Sequence, residues 1–321
     1  MVHPADATRP SSAAVPLAST VPGEVECGSA AEAPGDPTYA GAMALSVPSI
    51  PLNSGASIPQ VGFGVFLIKP EVTQPAVEDA LEVGYRHIDT ATGYGNEAEV
   101  GAAVRASGIP REDVFVTTKL RNDHHAAGDV EGAFERSLQA LDLGYIDLYL
   151  IHWPMPKNDR YAETWRTFGS FSADGRARSI GVSNFHVPHL ERIIEETGLT
   201  PAVNQVELHP TFQQRELRAF HAAHGIATEA WAPLGQGRYD IFNLPPMQAA
   251  ASAHGVTPAQ VVLRWHLQTG IIALPKSSSK ERMRENLDIA GFELTADEMA
   301  AIDALDENVR LAADPDDINV D

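Results

Sequence analysis

From residue 61 onward, short apolar runs alternate with longer amphipathic stretches, and Gly, Asn or Pro stands between them. Eight runs have the length and apolar content of buried strands: residues 61–65, 86–89, 114–119, 146–152, 177–183, 202–207, 226–231 and 271–275. Between them apolar positions recur at helical spacing. In residues 129–141, Val130, Phe134, Leu138 and Leu141 share one face, as in a helix laid on a sheet, with Gly144 as its stop. Residues 190–197 form a second such stretch, closed by Gly198. Eight strand–helix units with short connections predict an α/β chain whose parallel sheet closes into a (β/α)8 TIM barrel of roughly 250 residues. A doubly wound open sheet is the alternative.

The segment before the barrel is different. Residues 1–42 are rich in Ala, Pro, Ser, Thr and acids, poor in aromatics and without periodicity, so they are expected to form a disordered extension. They have neither the basic start and apolar centre of a signal peptide nor the arginines of a transit peptide. Met43 is read as the natural start, and residues 43–321 as the barrel domain. A short hairpin with its turn at residues 53–57 is expected ahead of the first barrel strand.

Charge and composition narrow the function. The 321 residues carry a formal net charge of −20, which argues against nucleic acid or an anionic membrane surface as partner, since either needs a basic face. No apolar stretch reaches the roughly 18 residues of a spanning helix. Cys27 is the only cysteine, which excludes an internal disulfide and a cysteine-based metal cluster, so a cytoplasmic setting is the default. His124 and His125 are chain neighbours without a further evident ligand; they are read as surface residues, and no metal is expected.

Four ionisable residues stand at or just past the ends of successive strands: Asp89, Tyr94, Lys119 and His152. Barrels keep their catalysts there, and a phenol, an amine, a carboxylate and an imidazole together suggest a proton-transfer site. A tyrosine is a competent acid if its phenolate is stabilised. Lys119 pointing at the Tyr94 oxygen would lower the phenol's pKa, and Asp89 paired with Lys119 would keep the ammonium charged. His152 would then orient a carbonyl and stabilise charge developing on its oxygen. A tyrosine protonating an oxyanion needs a nucleophile at carbon, and hydride from a nicotinamide fits, because no nucleophilic cysteine or Gly-x-Ser-x-Gly elbow is present. Gly62-Phe63-Gly64-Val65-Phe66-Leu67 lies within a strand and lacks the third glycine of a dinucleotide fingerprint. A nucleotide must therefore be held by loops at the carboxyl ends of the strands, and those after strands seven and eight are the expected place.

Motifs along the chain carry a closer likeness: Gly84-Tyr85-Arg86-His87-Ile88-Asp89-Thr90-Ala91 with Tyr94-Gly95-Asn96-Glu97; Asp147-Leu148-Tyr149-Leu150-Ile151-His152-Trp153-Pro154; Gly181-Val182-Ser183-Asn184-Phe185; Asn204-Gln205-Val206-Glu207; and Leu274-Pro275-Lys276-Ser277 followed by Arg282, Glu285 and Asn286. With these the chain resembles the aldo-keto reductase family, in particular its prokaryotic 2,5-diketo-D-gluconate reductase-like branch. The resemblance implies NADPH bound without a dinucleotide fold, Tyr94 as proton donor, Asp89 and Lys119 as its tuners, and His152 orienting the carbonyl. It also implies that Ser183, Asn184 and Gln205 bond the carboxamide and that Trp231 stacks on the nicotinamide. Lys276, Ser277 and Arg282 would clamp a 2′-phosphate, with Glu285 and Asn286 at the adenine. Phe66 and Trp153 are expected to wall a substrate pocket closed by the loop after Lys119 and the C-terminal tail. The partner is a small carbonyl compound, and relatives are commonly monomers. Two rival functions are a Schiff-base lyase using Lys119 and a redox-sensing or structural NADPH binder with incidental turnover.

Overall fold

The computed structural model describes residues 47–126 and 128–319. The expected disorder of residues 1–42 and the reading of Met43 as the start lie outside the described residues.

β1 (Ser49–Pro51) and β2 (Ser57–Pro59) pair antiparallel, with Ile50 opposite Ile58. The turn between them is closed by Leu52 N–H on the Ala56 carbonyl and Gly55 N–H on Leu52, and Gly55 takes the left-handed conformation that this tight reversal needs. This is the hairpin expected at residues 53–57. Its Leu52 and Ile58 are buried among Phe115, Leu148, Val203 and Ile272, so the hairpin plugs the amino-terminal end of the barrel.

Eight parallel strands follow among the described residues: β3 (Phe63–Gly64), β4 (His87–Asp89), β5 (Phe115–Leu120), β6 (Ile146–Ile151), β7 (Ala177–Ser183), β8 (Val203–Glu207), β9 (Ala227–Trp231) and β10 (Ile272–Leu274), each bonded to the next. The ends meet. Val61 bridges Ala273 in parallel, Gly62 N–H reaches the Ala273 carbonyl at 2.9 Å, and Ala273 N–H reaches Gln60 at 2.9 Å. That closure excludes the open sheet. It also explains the glycines of the first strand: a Cβ on Gly62 would lie 2.6 Å from both His87 Nδ1 and Leu274 Cδ2, so Gly62 permits close strand packing.

Helices α1 (Pro70–Val83), α2 (Glu97–Ala106), α3 (Asp129–Leu141), α4 (Tyr161–Ala173), α5 (Val187–Thr197) and α6 (Arg215–His224) alternate with strands β3 to β9. α7 (Pro245–His254) and α8 (Pro258–Gln268) precede β10, and α9 (Lys280–Leu287) and α10 (Ala296–Asp303) follow it. Phe134 of α3 and Phe171 of α4 stack with centroids 4.0 Å apart and meet the Tyr149 ring of β6 edge-on, which fixes both helices on the sheet. α3 spans the residues that its periodicity predicts, but Gly144 is not its stop. Asp142 ends the helix in the left-handed region at φ 51°, and Gly144 serves the next turn. α5 begins at Val187, three residues before the expected stretch, because His186 caps it, and Gly198 closes it as expected. No helix among the described residues is long and apolar enough to cross a membrane.

Candidate active site

The parallel barrel delivers the carboxyl ends of its strands to one face. Asp89 ends β4, Lys119 is the penultimate residue of β5, His152 follows β6, Ser183 ends β7 and Trp231 ends β9. Tyr94 comes from a single 3-10 turn, Thr92–Tyr94, after β4. That turn is pinned on two sides. Thr92 Oγ1 donates to the Lys119 carbonyl at 2.9 Å, while Asn96 accepts from Thr90 Oγ1 at 2.7 Å and donates to the carbonyls of Val65 and Ile68. A cavity of about 580 Å3 opens on this face. Phe66, Asp89, Tyr94, His152, Trp153, Ser183, Asn184, Gln205, Trp231 and Lys276 all line it. A wider groove of about 850 Å3 at the opposite end of the barrel, beside the hairpin, has no such convergence.

Lys119 lies fully buried behind this lining. Its Nζ donates to both Asp89 carboxylate oxygens at 2.7 Å and to the Thr90 carbonyl at 2.8 Å. Burial works to discharge the ammonium, but Asp89 and Tyr94 outweigh it and hold the group above the usual lysine value. The same ammonium sits 5.2 Å from the Tyr94 ring centroid. Lys119 does pull the phenol's pKa down, as expected, yet burial is the larger effect and Asp89 adds to it, so the net shift is upward. The expected depression is corrected: in the resting protein Tyr94 keeps its proton and is poised as an acid. His152 meets the Tyr94 ring edge-on, centroids 5.8 Å apart. Burial, helped by Lys119, lowers its pKa to about 3, so its imidazole is neutral at physiological pH.

Asn184 adopts the left-handed conformation, φ 64°, which asparagine tolerates better than most residues. Its amide nitrogen donates to the His152 carbonyl and to Ser183 Oγ, each at 3.0 Å, and its Oδ1 accepts from Trp231 Nε1 at 2.9 Å. One residue thus ties the imidazole's backbone to the indole across the cavity. Ser183 Oγ donates to the Gln205 carbonyl at 2.9 Å, and Gln205 Nε2 donates to Asp89 Oδ2 at 2.8 Å. Phe66, nearly half exposed, packs on Tyr94 with centroids 5.0 Å apart.

The remaining expected residues stand just outside the lining. Ser277 Oγ accepts from Ser279 N–H, and Ser279 caps α9, which carries Arg282, Glu285 and Asn286. Arg282 is exposed and Asn286 is buried. His125, read as a surface residue, is buried, with both ring nitrogens unpartnered among the described residues, and burial lowers its pKa to about 4. The loop it belongs to folds inward, which two adjacent histidines in a polar sequence do not reveal.

Four residues escape the sequence reading. Arg238 and Gln236 line the cavity from the loop after β9, where Gly235 and Gly237 bracket a left-handed Gln236. Ala312 lines it from the C-terminal tail. Glu229 lies inside the barrel on the other side of Gln205, whose Nε2 donates to Glu229 Oε2 at 2.8 Å. Its signal was an acid inside a short buried strand, Ala227-Thr228-Glu229-Ala230-Trp231, at the same inward parity as Trp231.

Comparison with known proteins identifies the family. Residues 62–307 match the model of the Aldo/keto reductase family. The chain is 51% identical over 268 residues to an aldo-keto reductase of Mycolicibacterium smegmatis, covering 84% of this chain and 97% of that one. It is 49% identical to the methylglyoxal reductase DkgA of Yersinia pestis, covering 84% and 96%. Among solved structures, a variant of Gox0644 in complex with NADPH superposes with a TM-score of 0.81 at 45% identity, covering 85% of this chain and 98% of that one. The chain belongs to the aldo/keto reductase family.

Proposed function

We propose that this aldo/keto reductase, an NADP-dependent oxidoreductase, reduces small aldehydes or ketones to alcohols, with Tyr94 as the proton donor. One observation carries the reading: a protonated phenol, a buried Lys119–Asp89 pair and a neutral imidazole converge on one cavity that also holds an aromatic platform and two cations without a carboxylate partner among the described residues.

The residues present fit a nicotinamide cofactor. Gln205 lines the cavity and its amide nitrogen is committed to two acids, which leaves Oε1 without a partner among the described residues, beside Trp231. Lys276 and Arg238 line the same cavity and pair with no carboxylate among the described residues; burial lowers the Lys276 pKa, as expected for a cation waiting for an anion. Gln205, with Ser183 and Asn184, would hold the carboxamide, Trp231 the ring, and Lys276, Arg238 and Arg282 the phosphates, with Glu285 and Asn286 at the adenine. When bound, the cofactor supplies the hydride.

The chain's own residues do the rest. Tyr94 and the neutral His152 each donate a hydrogen bond to the carbonyl oxygen, which orients the substrate and stabilises charge as it develops there. Tyr94 then passes its proton to that oxygen, and Lys119, held charged by Asp89, stabilises the phenolate left behind. Phe66 and Trp153 exclude water beside it. The Schiff-base alternative fails on Lys119, whose amine is fully buried, bonded to three acceptors and held charged. Methylglyoxal, named for relatives nearly half identical, is the first substrate to test. Residues 43–321 carry the activity, and a chain starting at Met43 keeps it.

Tyr94→Phe tests the assignment. It removes the transferable proton without changing the ring, so turnover should fall by about a hundredfold or more, the range of a lost general acid, while NADPH binding stays within a factor of about three. Loss of cofactor binding with turnover preserved in proportion would sink the role. A parent protein that binds NADPH but reduces no aldehyde would favour a binding protein instead.

A further inference from the structure

Glu229 is completely buried at the heart of the barrel, and no step of the reduction above uses it. Its Oε2 accepts from Gln205 Nε2 at 2.8 Å, and the same amide nitrogen donates to Asp89 Oδ2 at 2.8 Å. Two acids gripping one NH2 group fix the rotation of the amide: the nitrogen faces the barrel interior and the oxygen is left for the cavity. Oε1 of Glu229 has no hydrogen-bond partner among the described residues and faces His87 Nε2 at 3.6 Å, a ring already bonded to Thr117 Oγ1.

The charged and titratable groups around Glu229 can be named element by element. β4 supplies His87 and Asp89, β5 supplies Lys119, β8 supplies the neutral Gln205 amide at Glu229 and, two residues on, the Glu207 carboxylate, and β10 supplies the apolar Ile272, Ala273 and Leu274. Burial lowers the His87 pKa to about 3, and Lys119 is held charged. Burial and the neighbouring Asp89 raise the Glu229 pKa to about 8. Of these groups, Glu229 is the one poised to change charge in mildly alkaline solution.

We propose that Glu229 is a positioning residue that fixes Gln205 and couples a proton inside the barrel to the oxidation state of the bound nicotinamide. This rests on the reading of Gln205 as the carboxamide partner. The oxidised nicotinamide ring carries a positive charge and the reduced ring carries none. A Glu229 carboxylate on the far side of Gln205 attracts the first and does little to the second, whereas the neutral acid hardly distinguishes them. Loss of the proton therefore favours NADP+ over NADPH, and by linkage NADP+ binding releases that proton to solvent. The proton is exchanged when cofactors exchange and is not consumed in the reduction, whose proton comes from Tyr94.

The test measures dissociation constants for NADPH and NADP+ with the parent and with Glu229→Gln from neutral to alkaline pH, the direction in which burial and Asp89 shift the Glu229 titration. Phosphate contacts, Lys276 among them, act on both cofactors and cancel in the ratio. In the parent, Kd for NADP+ divided by Kd for NADPH should fall by about tenfold with rising pH, the equivalent of a charge–charge interaction of about 1.4 kcal/mol. E229Q keeps an acceptor for Gln205 and cannot ionise, so its ratio should stay flat. If E229Q does not fold, calorimetry of the parent in buffers of different ionisation heat decides. Near the midpoint, NADP+ should release roughly half a proton and NADPH almost none. A pH-independent ratio in the parent, the same slope in E229Q, or equal proton release with both cofactors overturns the inference alone. Failure of either cofactor to bind at any pH overturns the cofactor reading and this inference with it.

Discussion

Arg282 carries no carboxylate partner among the described residues and is exposed on α9, one turn after the Ser279 cap and six residues after Lys276. A guanidinium beside a helix amino terminus suits a phosphate, because the fork supplies donors and the helix end adds partial positive charge. If that phosphate is the one on the 2′ position, Arg282→Ala should raise the Kd of NADPH by about 10- to 100-fold, the worth of one or two charge-assisted hydrogen bonds, and leave that of NADH within a factor of about two. Fluorescence titration with both cofactors reads it. Equal losses for the two would place Arg282 elsewhere.

Whole elements explain which residues were legible in the sequence. A strand of a parallel barrel is an apolar run, so the polar residue that ends it is visible at once, and Asp89, Lys119, His152, Ser183 and Trp231 stand where their runs stop. Tyr94 was legible as a residue just past a strand end, but its aim was not, since the 3-10 turn that directs it depends on Asn96 reaching back to Val65 and Ile68. Glu229 was hidden because its partner Gln205 lies 24 residues away and Gln205's other acid, Asp89, a further 116. The C-terminal tail was expected at the pocket, but what holds it there was hidden for the same reason. Its Leu311 and Ala312 amides donate to Glu207, the last residue of β8, at 2.6 and 2.9 Å, and His209 Nε2 faces the same carboxylate at 3.1 Å. Burial would raise the Glu207 pKa, but these partners outweigh it and hold it below the usual value, so the tail is gripped by an anion. Farther along, Asp316 lies 3.4 Å from His186 and 3.2 Å from His189, at the start of α5. Glu207→Gln replaces one acceptor oxygen by an NH2 that opposes a backbone amide, and the tail should loosen. Trypsin should then cut after Arg310 faster by about tenfold, as expected for losing a buried charged hydrogen bond, and the KM for the carbonyl should rise while NADPH binding holds. Unchanged proteolysis and KM would mean that Asp316 and its histidines hold the tail without Glu207.

On the scale of the whole molecule, two electrostatic arguments give opposite signs for the effect of acid. The net charge of −20 falls as carboxylates protonate, which relieves self-repulsion and would stabilise the fold as pH drops from neutral. Against it stand imidazoles buried without charge: burial takes the pKa to about 3 in His87, His152 and His221, and to about 4 in His125 and His266. In the unfolded chain each titrates near 6.5, so between that value and its folded value the unfolded state binds the extra proton, and stability is lost as pH falls. Each such group contributes about 1.4 kcal/mol per pH unit below its unfolded pKa, whereas repulsion among surface charges is spread out and screened by salt. Glu229 opposes them with the proton it already holds in the fold. The histidines should win. Near pH 5.5, below the unfolded value and above every folded one, unfolding should take up about three to four protons, and the thermal midpoint should fall steadily as pH is lowered from about 6.5 to about 4.5. Calorimetric melts across that range give both quantities, and an uptake below about one proton, or a midpoint that rises on acidification, would show that these imidazoles are not held neutral. His266→Gln should remove close to one proton from the count, because its ring bonds the Val262 carbonyl within α8 and is shielded from solvent on every side.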